Sequence, residues 1–89
     1  MRRFKLEMYV DILKVLAHSG PIKLTNIINK ANVNGIILKE YLNFLINKGL
    51  VEERTIKKGN EAFAVTKRGI NVLKYFGELT QTLSVEEEP

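Results

Sequence analysis

Between Ile22 and Thr66 the hydrophobic period changes from helical to alternating, with a stop signal at each change. Leu24, Ile27, Ile28 and Ala31 give a short amphipathic helix over Lys23–Lys30. The run Asn32-Val33-Asn34 then breaks it, because asparagine bonds its own backbone and favours a turn. A second helix, Gly35–Lys48, places Leu38, Tyr41, Leu42, Leu45 and Ile46 on one face, and Gly49 ends it. Leu50 and Val51 begin an alternating strand through Arg54 and Ile56. Lys57-Lys58-Gly59-Asn60 carries a Gly-Asn hairpin signal, and Glu61–Val65 reads as the returning strand. Two helices joined by about four residues form a helix-turn-helix unit, here followed directly by a hairpin with a basic tip.

The flanks complete a mainly α chain with one small β-hairpin (α+β), in the order helix, helix, helix, strand, strand, helix. Phe4, Met8, Tyr9, Ile12, Leu13, Val15 and Leu16 recur at helical steps over Phe4–His18, and Ser19-Gly20-Pro21 stops that helix. Ile22 is positioned to pair as a very short strand with the hairpin. Val33 is the apolar residue to bury beneath the turn, and Ala62, Phe63 and Val65 are available to the core. Asn34 and Thr66 are suited to N-cap the helices that follow them. The last helix, from Lys67 to about Leu83, is extended. Residues 84–89 are acidic and read as a flexible tail.

Composition narrows the function classes. With no cysteine and only His18, disulfides, thiolate zinc sites and cysteine nucleophiles are excluded, and no carboxylate pair stands beside a nucleophile or a Gly-rich phosphate loop. The reading is a non-enzymatic protein without metal or cofactor, and no small-molecule ligand is evident. His18, at the end of the first helix, reads as a cap favourable to the helix dipole. No apolar run approaches the roughly 20 residues that span a bilayer, and the N-terminal basic residues Arg2, Arg3 and Lys5 lack a following apolar block, so the reading is cytoplasmic. All 14 Lys and Arg and six of the ten acids precede Phe76, a net of +8, while the remainder carries four acids and no base. A basic body favours a polyanionic partner, since neutralised phosphates release counterions.

Tyr41-Leu42-Asn43-Phe44-Leu45 with Lys48-Gly49-Leu50-Val51, followed by Val65-Thr66-Lys67-Arg68-Gly69, resembles the winged helix-turn-helix family of archaeal DNA-binding proteins over roughly Ile12 to Leu73. The resemblance implies a domain that binds double-stranded DNA, often as a dimer joined by the helix after the wing, acting as a transcription regulator or a nucleoid-associated protein. The chain departs from the family at the start of the recognition helix, where Asn34-Gly35-Ile36-Ile37 stands in place of polar or aromatic side chains. That favours backbone binding over sharp base readout.

Residues 1–66 are read as the DNA-binding domain and 67–83 as a dimerisation element. In a helix-turn-helix the N-terminal part of the second helix enters the major groove, which nominates Asn34, Gly35, Ile36, Lys39, Glu40 and Asn43. Lys39 suits guanine acceptors or phosphate, Asn43 suits adenine, and Ile36 suits a thymine methyl. Lys23 and Thr25, at the start of the preceding helix, suit a phosphate, as do Lys57 and Lys58 at the wing tip. Val72, Phe76, Leu79 and Leu83, spaced four, three and four, form a seam that outruns the chain available to cover it and predicts a homodimer contact, with packing on the first helix as the alternative. Two further functions compete with gene regulation: non-specific chromosome architecture, and protein–protein interaction through Ile36, Ile37 and the seam.

Overall fold

The computed structural model describes residues 5–31, 33–57 and 60–83. These form α1 (Lys5–Ser19), α2 (Leu24–Ala31), α3 (Gly35–Asn47), β1 (Val51–Lys57), β2 (Asn60–Val65) and α4 (Lys67–Thr82), the predicted order with each boundary within about one residue. Phe4, Arg2, Arg3, Asn32, Lys58, Gly59 and the acidic tail lie outside the described residues. Among the described residues, no helix is long and apolar enough to cross a membrane.

The core lies where α1, α2 and α3 meet the base of the hairpin. Ile12, Leu13, Leu16, Ile27, Leu38, Leu42, Leu45 and Val51 are its largest fully buried side chains. Val33 is buried under the turn between α2 and α3, as its place in the sequence predicts. Tyr41 and Ile46, assigned to the same face of α3, are half-buried at its margin, and Val10 joins the buried face of α1. The aromatic rings are less dispersed than their sequence spacing suggests. Tyr9 stacks on Phe44 with centroids 4.6 Å apart and meets Tyr41 edge-on at 5.2 Å, tying α1 to α3.

Local chemistry sets the ends of the elements. Gly20 and Gly49 adopt φ of +76° and +77°, the left-handed conformation that closes α1 and α3 and that a Cβ would disfavour. The Asn34 side chain caps α3, its Oδ1 accepting from Ile36 N at 2.8 Å and Ile37 N at 3.5 Å. Thr66 caps α4 by accepting from Gly69 N at 3.1 Å. The same hydroxyl donates to the Gly49 carbonyl at 2.7 Å, while Thr66 N donates to Leu50 O at 3.0 Å. One residue thus fastens the end of α3 to the start of α4. Gly69 completes the junction: a Cβ there would lie 2.6 Å from Val65 Cγ2 and would collide with the Leu50 carbonyl.

β1 and β2 pair antiparallel, with Val51 opposite Val65, Glu53 opposite Phe63 and Thr55 opposite Glu61. Ile22 adds a bridge on the free side of β2, exchanging both backbone hydrogen bonds with Phe63 at 2.9 and 3.1 Å. The ladder continues past a bulge after Thr55 to the pair Lys57–Asn60, so Asn60 belongs to the strand and the turn is shorter than the four-residue segment predicted for it. Ala62 and Ala64 are buried on one face of the hairpin, and Phe63 and Val65 are half-buried on the other. Ala64, not anticipated from the sequence, is therefore core, because both faces at the base of the hairpin are covered.

Candidate nucleic-acid interface

The start of α2, the outer side of α3 and one face of the hairpin enclose a cleft of about 430 Å³. Its polar lining is Lys23 just before α2, Thr25 from α2, Lys39 and Asn43 from α3, and Glu53 and Glu61 from the hairpin, with Leu24, Leu42 and Phe63 as its apolar lining. Each position follows from local folding. Ile27 anchors α2 in the core and leaves Lys23 and Thr25 on the outer side. Leu38, Leu42 and Leu45 anchor α3, and the 3.6-residue period then turns Ile36, Lys39, Glu40 and Asn43 outward as one stripe.

Four of the ten residues nominated for DNA contact thus line one cleft. Ile36 and Glu40 continue the exposed stripe of α3, and Ile36 is 75% exposed, the most exposed large apolar side chain of the described residues. Asn34 is exposed, but its side-chain oxygen is occupied by the cap, leaving its amide nitrogen to donate. Gly35 is half-buried, and a Cβ there would sit 3.3 Å from Ile28 Cδ1, so the absence of a side chain lets α3 approach α2 closely. The backbone of Lys57 ends β1 at the wing tip, and Lys58 lies outside the described residues.

Glu53, Glu61 and Phe63 were not nominated from sequence, yet they form the third wall of the cleft. The available signal was strand alternation: Val51 faces the core, so Glu53 shares its face, and the hairpin register brings Glu61 and Phe63 to that face too. On the opposite face Arg54 Nε and Nη2 approach Glu52 Oε2 at 2.8 and 2.6 Å. Among the described residues, no ion pair ties Glu53 or Glu61 to Lys23 or Lys39.

The apolar line of α4 divides in two. Gly69 is buried, and Leu73 packs against the core. Val72, Leu79 and Leu83 are 37%, 42% and 61% exposed, and Phe76 is half-buried. Val72 also borders an apolar hollow of about 330 Å³ lined by Leu6, Tyr9, Leu13 and Phe44 among others. Packing on α1 therefore accounts for the inner line of α4 and reaches Val72, while Leu79 and Leu83 stay exposed. His18 sits exposed in the last turn of α1. Among the described residues, no cluster of His, Cys, Asp or Glu is arranged to hold a metal ion.

Solved structures with this architecture include RosR of H. salinarum, 26% identical over 91% of this chain and 78% of that one, with a TM-score of 0.78. A MarR-family transcriptional regulator from Silicibacter pomeroyi matches with a TM-score of 0.75 and 17% identity, over 84% of this chain and 51% of its own. BpsR of Bordetella bronchiseptica, whose DNA binding is regulated by 6-hydroxynicotinic acid, also matches with a TM-score of 0.75, at 10% identity over 86% and 56% of the two chains. The chain thus spans little more than half the length of these last two regulators, and the likeness to them is one of fold. No curated protein sequence matches it. The cap-and-glycine junctions, the helix-turn-helix and the hairpin nevertheless fall within a single family description, winged helix-turn-helix, whose model matches residues 2–84, and the chain belongs to that family.

Proposed function

We propose that this protein is a transcription regulator that binds double-stranded DNA, laying α3 in the major groove and the wing beside it, and that it acts as a homodimer joined through α4. The observation that carries the reading is the convergence of Lys23 and Thr25 at the start of α2 with Lys39 and Asn43 on α3 at one cleft beside the hairpin. Phosphate-binding groups flanking a groove-reading helix are the contact pattern of helix-turn-helix proteins. The basic body and the likeness to RosR, a structure of comparable size, support it. The role is that of a cytoplasmic, non-enzymatic protein acting on the chromosome. The site comprises Lys23, Thr25, Asn34, Gly35, Ile36, Lys39, Glu40 and Asn43, with Lys57 and Lys58 from the wing. The seam Val72, Phe76, Leu79 and Leu83 supports the dimer because much of it stays uncovered within one chain.

Charge reversal tests the reading. Lys23→Glu with Lys39→Glu is expected to abolish binding to a labelled duplex in fluorescence anisotropy while leaving the thermal melt unchanged, and unaltered binding overturns it. The exposure of Ile36 and Ile37 also favours a second reading, in which the same helix docks a protein. Ile36→Asp separates the two: loss of a protein partner with DNA affinity intact supports the docking module, and loss of DNA affinity supports the regulator.

A further inference from the structure

The walls of the cleft carry opposite charges. Lys23 and Lys39 approach from the helices, and Glu53 and Glu61 from the hairpin, all four exposed and lining the same 430 Å³ space. The register fixes this arrangement. Glu53 lies opposite Phe63 and Thr55 opposite Glu61, and directly opposed residues share a face, so both carboxylates stand with Phe63 on the side turned toward α3. The hairpin's ion pair, Glu52 with Arg54, is on the other face and neutralises neither of them.

We infer that Glu53 and Glu61 are specificity-determining residues that oppose sequence-independent DNA binding; the inference rests on the proposed DNA-binding function. A phosphate drawn to Lys23 or Lys39 enters the same cleft that both carboxylates line, and charges sharing such a space repel it, the Debye length at 0.1 M salt being roughly 10 Å. Affinity that comes from the DNA backbone alone is thereby reduced, whatever the sequence. A duplex whose base edges fit Ile36, Lys39 and Asn43 gains contacts that offset the repulsion, and a random duplex gains none. Discrimination of this kind comes from an unfavourable element built against the wrong partner. It also supplies a source of selectivity that the apolar start of α3 does not.

The test compares the wild-type protein, the double variant Glu53→Gln with Glu61→Gln, and Glu78→Gln, which removes one acid from the exposed side of α4 away from the cleft. Each is titrated onto a random duplex and onto a duplex selected for binding the wild type, between about 50 and 200 mM salt, with a thermal melt as the folding control. The double variant is expected to bind the random duplex about tenfold more tightly at the lowest salt. Lys23 and Lys39 meet phosphate in the wild type as well, so the slope of log K against log salt, at roughly 0.9 per neutralised phosphate, is expected to stay about the same while the affinity rises. The ratio between selected and random duplex narrows, and Glu78→Gln behaves as the wild type.

Random-duplex affinity of the double variant within about twofold of the wild type, or below it, overturns the inference and leaves the DNA-binding function standing, because two removed carboxylates would then have gone unfelt. An equal gain from Glu78→Gln also overturns it, since net charge and not the cleft would be responsible. Failure of every protein to bind any duplex overturns the DNA-binding function and this inference together.

Discussion

Replacing Thr66 with alanine removes two hydrogen bonds made by one hydroxyl at the junction that orients α4 and the hairpin against α3. The first is the cap to Gly69 N at 3.1 Å, and loss of a threonine N-cap costs about 1 kcal/mol. The second is the donation to the Gly49 carbonyl at 2.7 Å, across 17 positions of sequence, and a net hydrogen bond of this kind contributes about 1 kcal/mol. The backbone bond from Thr66 N to Leu50 O at 3.0 Å survives the substitution, so the junction is weakened and not dissolved. Thr66→Ala is therefore expected to lose about 2 kcal/mol, which in a domain of this size lowers Tm by roughly 10 °C. Thr66→Ser retains the hydroxyl and is expected to lose about 0.5 kcal/mol or less, while Thr66→Val, which keeps the shape without the oxygen, is expected to resemble Thr66→Ala. Urea denaturation followed by circular dichroism at one fixed protein concentration measures all three, the fixed concentration being required because a dimer's stability varies with it. A loss under about 0.5 kcal/mol for Thr66→Ala, or equal losses for Ser and Ala, refutes the assignment of both bonds to this hydroxyl.

Gly69→Ala is expected to destabilise by about 1–3 kcal/mol although alanine is the better helix former, because its Cβ meets Val65 Cγ2 and the Leu50 carbonyl; an unchanged or raised Tm contradicts that packing. Leu79→Asp with Leu83→Asp places charge on the exposed line of α4, and sedimentation velocity is expected to report a folded monomer where the wild type gives a dimer. A wild type that sediments as a monomer at all concentrations removes the dimer from the account. Ile36→Ala is expected to weaken binding to a selected duplex by about 0.8 kcal/mol per methyl contact, and replacing thymine by uracil in that duplex is expected to cost the wild type but not the variant. Equal losses in both proteins exclude a contact between Ile36 and a thymine methyl.

Where local chemistry decides the structure, the sequence was legible. The caps at Asn34 and Thr66, the left-handed glycines at 20 and 49, the Ile22 bridge and the burial of Val33 each follow from one or two residues and their neighbours. Legibility ended where two elements had to be placed against each other. Helical period puts Gly35 near the outward stripe, but the close approach of Ile28 that a side chain there would meet comes from the neighbouring helix. Ala64 is buried because both faces of the hairpin base are covered, which strand alternation alone does not show. Glu53 and Glu61 are eight positions apart, and their shared wall depends on the register of pairing, to which a bulge near the tip adds a further offset. On α4 the period identified an apolar side, while the packing of Leu73 and Gly69 selected which line of that side the chain itself covers.

We propose that the outer side of α2 and α3, with the wing, holds duplex DNA. It is tested most directly by titrating the wild-type protein onto a random duplex of about 20 base pairs, two helical turns, across a salt series. With Lys23, Lys39, Lys57 and Lys58 each neutralising a phosphate, log K is expected to fall linearly with log salt at a slope of about −3.6 for each domain engaged. A measurable affinity at about 50 mM salt that declines at this slope agrees with the account. No binding at that salt, or an affinity indifferent to salt, contradicts it.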